Sequence, residues 1–143
     1  MKRTLAALAA ALLATAAAAS AQSYPDDAGA GVKLGIEQLN TSGQVGEVTL
    51  FQGGPATRAA VRVDGANGKP EAVRIYRGQS CDSTDGMAGG RPAYVLSNLS
   101  GRGVSRTVVQ ASQDKLLSGN YNVVVFSSTA PGARPVACGH LFR

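Results

Sequence analysis

Tryptophan is absent from this chain of 143 residues, histidine occurs once, at His140, and cysteine only twice, at Cys81 and Cys138. Each scarcity excludes a chemistry. One imidazole cannot build a copper redox centre, which needs several nitrogen donors converging on one ion. Two thiols with no further Cys and a single His lack the remaining ligands of a zinc site. A Ser-His-acid system needs a histidine set against a serine, and His140 is expected to be a partly exposed residue near the chain end. Only nine acidic residues are present, scattered along the chain, so no carboxylate pair for hydrolysis can be assigned. Lys and Arg form no run and aromatics are few, which argues against a nucleic-acid partner.

The one long apolar run lies at the N-terminus. "MKR" is a short basic start, "TLAALAAALLATAAAA" follows, and "ASA" at residues 19–21 supplies the small residues that a signal peptidase accepts. The run falls short of the roughly 20 strongly apolar residues a bilayer span demands, and no cysteine follows it to carry a lipid. The expected organisation is a signal peptide over 1–21, a loose arm over 22–31 and one domain over 32–143, exported to the periplasm or beyond the cell. Without Lys2 and Arg3, 12 basic residues face 9 acidic ones, a mildly cationic and solvated surface.

In an oxidising compartment the default for two cysteines is a disulfide. A single intrachain bridge would close a loop of just under sixty residues, a constraint of roughly 4 kcal/mol in the chain-entropy model.

Beyond the arm, short apolar runs alternate with turn residues. "VKLGIEQL" and "GEVTLFQ", separated by "NTSGQ", predict a first hairpin. In "ATRAAVRVD", Thr57, Ala59, Val61 and Val63 share one face, and Ala60, Arg62 and Asp64 the other. "GANGK" is turn chemistry; it lacks the spacing and the Ser or Thr after lysine of a phosphate loop. In "AVRIYRGQSC" the faces are Val73 with Ile75 and Arg74 with Tyr76. "PAYVLSNLS" and "GVSRTVVQAS" follow as strands, then one helical turn in "QDKLLSGNY" capped by Ser112 or Asp114. "YNVVVFSS" is the most strand-like segment, and "VACGHLFR" closes the chain. About eight strands with almost no helix predict an all-β sandwich or barrel. Asp82 and Asp85 fall short of the six or more oxygens of a calcium cage. Asn40 and Asn98, although in sequons, read as turn residues.

The order of these features resembles the copper/zinc superoxide dismutase superfamily over roughly Val32 to Leu141. The hairpin around "SGQVGEVTLFQ" looks like that family's first two strands. "VRIYRGQSC" is similar to its His-x-His strand and first disulfide cysteine. "LLSGNYNVVVFSS" is similar to the strand ending in another copper-ligand histidine, and "GARPVACGHL" to its C-terminal Gly-x-Arg-x-Ala-Cys-Gly signature. The resemblance implies an eight-stranded Greek-key sandwich in which a Cys81–Cys138 bridge ties a loop to the last strand.

The chain departs from that family where its chemistry resides. Arg74 and Tyr76 stand at the two early ligand positions and Phe126 at the later one. The segment "DSTDGMAGGRP" has no histidine, and between Arg134 and Ala137 there is one residue too many, since Pro135 and Val136 both intervene. Guanidinium offers no lone pair and phenylalanine has no donor atom. The expectation is therefore a metal-free, non-catalytic domain that needs no cofactor and acts as a binding or structural module. Arg74, Tyr76 and Phe126 should gather on one outer patch, as packing filler or as a recognition surface. The partners left open are an unidentified protein or small molecule, and a second copy of the chain as a homodimer; no membrane span is expected. The alternatives are a copper protein or dismutase with ligands elsewhere, or a metal-delivery partner of a true metalloenzyme.

Overall fold

The computed structural model describes residues 31–78, 80–81 and 90–143. The expected leader, the arm up to residue 30 and the Asp82 and Asp85 segment lie outside the described residues.

Eight strands and one helical turn follow in order: β1 (Val32–Gln38), β2 (Val45–Gly53), β3 (Ala56–Asp64), β4 (Val73–Arg77), β5 (Tyr94–Val95), β6 (Val104–Val109), α1 (Gln113–Leu116), β7 (Ser118–Phe126) and β8 (Pro135–Phe142). All pairings are antiparallel, in the order β5-β4-β7-β8-β1-β2-β3-β6, and the sheet curls into a nearly closed barrel. The expected all-β, eight-stranded architecture is therefore the one observed.

The last step of closure is made by side chains rather than by a ladder. Thr107 Oγ1 on β6 accepts the Ser97 amide at 2.8 Å, and the Ser105 hydroxyl donates to the Ser97 carbonyl. This seam explains why the strand expected over "PAYVLSNLS" shrinks to Tyr94–Val95. Beyond Leu96 the backbone gives up ladder bonds for these hydroxyls and for a lone bridge between Glu71 and Leu99. With the seam counted, β7 returns to lie beside β4 while β4, β5 and β6 run consecutively. That spatial order, β7-β4-β5-β6, is a Greek key.

Alternation puts the apolar faces inside. Thr57, Ala59, Val61 and Val63 of β3 are all buried, as period-2 patterning requires. Ala59, Val61 and Val63 join Ile36, Val48, Leu50, Val73, Ile75, Val123, Val125 and Leu141 in one interior cluster.

The two ends of the barrel are plugged differently. At one end Ser112 caps α1, its Oγ accepting the Lys115 amide, and α1 buries Leu116 and Gln113. The Gln113 side-chain amide donates to the Leu50 carbonyl at 2.7 Å and the Thr57 hydroxyl to the Ala111 carbonyl at 2.7 Å. At the other end the plug is polar: Gln44 Nε2 donates to Glu71 Oε1 at 2.9 Å, and both residues are buried. Gly103 sits there with φ 73°, and any side chain on it would collide with the Val63 carbonyl, so the turn that receives the Val63 amide requires glycine.

The surplus residue before Ala137 has a structural counterpart. Val125 pairs with Ala137 but Phe126 pairs with Pro135, so Val136 is left over as a β-bulge. Its side chain enters the interior, and its carbonyl accepts the Leu39 amide and the Ser42 hydroxyl.

Candidate functional site

β4, β7 and β8 lie side by side, and their outward residues form rows across the strands. Register puts Arg74 opposite Val124, which in turn faces Cys138. One step along, Tyr76 lies opposite Asn122 and Asn122 opposite His140. Phe126 ends β7 on the same outward face, anchored by its amide donating to the Ala72 carbonyl at 2.9 Å.

The three sequence-predicted patch residues do come together. The Arg74 guanidinium carbon is 5.1 Å from the centre of the Phe126 ring, and the Tyr76 and Phe126 rings meet edge to face at 6.2 Å. The patch is on the outside of the sheet yet closed to solvent. Phe126 is 2 % and Tyr76 5 % exposed, and only Arg74 keeps partial access to water. Together with Ala72, Val124 and Cys138, Tyr76 and Phe126 form a second small apolar cluster, flanked by Leu39, Cys81 and Ala133.

Its lid is covalent. Cys81 and Cys138 are joined by a disulfide with Cα atoms 5.9 Å apart, 57 positions apart in sequence. The bridge holds the chain after β4 against the centre of β8.

A polar chain that the sequence reading missed runs beneath this lid. Asn122 is fully buried; its Oδ1 lies 2.9 Å from His140 Nδ1 and its Nδ2 donates to the Ser80 carbonyl at 3.2 Å. With the amide so oriented, His140 Nδ1 must be the donor, because an amide oxygen only accepts. The sequence carries no local signal of it, since an asparagine on the outward face of "YNVVVF" reads as a surface residue. His140 itself is half-buried, as expected for a residue near the chain end.

Glu71 was missed as well. It is fully buried at the polar end of the barrel; its Oε1 accepts from Gln44 Nε2, but its Oε2 has no hydrogen-bond partner among the described residues. The Gln44 Oε1 is likewise without one.

Chemically, the cluster can pack and can present one guanidinium edge. Among the described residues no group of three or more His, Cys, Asp or Glu is placed to hold a metal ion. No helix among them is long and apolar enough to cross a membrane. The chain matches no protein-family model and no curated protein.

Proposed function

We propose that this is an exported, non-catalytic β-barrel module of superoxide-dismutase-like ancestry, serving as a binding or structural domain. In it Arg74, Tyr76 and Phe126 replace a metal site with packing. The observation that carries the reading is the closed cluster itself. The positions that the resemblance assigns to metal ligands are filled by a guanidinium stacked on Phe126 and two rings buried under the disulfide. Such a stack contributes about 0.5–2 kcal/mol, so it can hold the outer face in shape where an ion would otherwise do so.

The pairing of Cys81 with Cys138 suits an oxidising compartment and supports export. Elemental analysis of the protein purified from the compartment where it accumulates tests the reading. Copper and zinc well below stoichiometry are expected, and one copper per chain would overturn it. N-terminal sequencing of the same preparation should begin at Gln22.

A further inference from the structure

The outward face of the opposite half of the barrel is built quite differently, and it is open. The registers of β1, β2, β3 and β6 set Lys33, Thr49, Ala60 and Arg106 in one row across four strands. Phe51 and Arg58 stand in the row on one side of it, Glu47, Arg62 and Val104 in the row on the other. Small residues floor the middle and long ones stand at the ends, leaving an open trough of about 560 Å³. That volume falls in the range of ordinary ligand sites.

Its charge is mostly of one sign. Among the described residues that line the trough, Lys33, Arg62 and Arg106 are the cations and Glu47 the acid, with Arg58 and Asp64 at its margins. Lys33 lies 3.5 Å from Glu47 and Arg62 4.0 Å from Asp64, both pairs largely exposed. Such pairs are weak and readily exchanged. Arg106 has no ion-pair partner among the described residues. The Arg58 guanidinium lies 5.3 Å from the centre of the Phe51 ring, which turns that wall into a flat apolar surface edged with charge.

The arrangement favours an extended ligand over a small anion. The cations do not converge: Lys33 and Arg106 are three strand spacings apart, roughly 14 Å, about the span of four extended residues. It also favours a peptide over a uniformly anionic polymer. Glu47 beside Lys33 repels a continuous line of charge, while Phe51, Ala60 and Val104 offer contact area only to a chain that alternates acidic with apolar side chains. β1, β2 and β3 each have a hydrogen-bonded strand on both sides, so over these three strands side chains must do the reading.

We infer that this trough is a docking site for an extended acidic peptide segment of a partner protein, held by Lys33, Arg62 and Arg106 across the sheet. The inference rests on the non-catalytic binding-module reading, but copper analysis judges that reading separately from peptide binding.

The test is fluorescence anisotropy with the purified protein and a labelled peptide of about eight residues alternating Asp with Val. Saturable binding is expected, weakened several-fold between roughly 50 and 200 mM salt because the pairs are solvent-exposed. The double variant Arg62→Glu, Arg106→Glu should lose at least about tenfold in affinity (some 1.4 kcal/mol) with an unchanged melting temperature. Arg91→Glu, which reverses an exposed charge outside the trough, should bind like the parent. Loss of equal size in Arg91→Glu, or a sulfated oligosaccharide of matched charge binding more tightly than the peptide, would overturn the assignment. So would binding that emerges only in Asp26→Asn, Asp27→Asn, because the trough would then belong to this chain's own acidic segment.

Discussion

The two outer faces of this barrel share one interior and one strand geometry, yet one is sealed and the other open. On the β4-β7-β8 side, residues 121–126 of β7 are buried without a break, because aromatic rings and the Cys81–Cys138 bridge cover the outward positions. On the β1-β2-β3-β6 side the outward positions of β3 and β6 alternate with buried ones, and the face carries Lys33, Arg58, Arg62 and Arg106. An unbroken apolar strand is one covered on both faces, and an alternating strand is one facing water on one side. The difference shows that the β4-β7-β8 half carries a second, smaller core on its outer face, while the β1-β2-β3-β6 half keeps an open, charged one.

This contrast makes energetic claims that can be broken. The largest effect is expected from Phe126→Ala, which removes the largest fully buried side chain among the described residues and should cost about 3–5 kcal/mol in urea unfolding. Phe51→Ala, the same change on the open face, should cost about 1 kcal/mol or less, since Phe51 is only half-buried. Equal losses would mean that the faces do not differ in the way proposed. Next comes Cys81→Ala, Cys138→Ala, expected to cost about 2–4 kcal/mol while leaving peptide binding at the trough within about twofold. Loss of that binding would join two faces that are separate here. Smallest is Thr107→Val, which removes the acceptor for the Ser97 amide and should cost about 1 kcal/mol. Its sharper readout is faster hydrogen exchange at Ser97, confined to the seam between β5 and β6.

Much of the fold was legible in the sequence. "ATRAAVRVD" announces its buried face by alternation alone, and the structure follows it residue for residue from Thr57 to Val63. Ser112 and Asp114 were both readable as the cap, and the structure selects Ser112, whose hydroxyl reaches the amide three residues on, while Asp114 lies in the first turn. The extra residue before Ala137 was visible as a misfit, though only the pairing of Phe126 with Pro135 revealed it as a bulge. The site was less legible. Arg74, Tyr76 and Phe126 were singled out as a patch, but nothing local to Tyr76 says that it is buried, since its cover comes from the chain around the disulfide. Asn122 and Glu71 look like surface residues by type, and their burial depends on His140, Ser80 and Gln44, all distant in sequence.

The sequence by itself determined the strands, their buried faces and the pair of thiols, because each follows from side-chain alternation, turn residues and composition that act within a few residues. Tertiary structure alone decided which outward face is closed and which is open, and it gathered Lys33, Arg62 and Arg106 onto one face, in two adjacent rows. Those outcomes depend on strand register and on a covalent link across 57 positions, and contacts between strands so far apart in the chain leave no periodic trace in it.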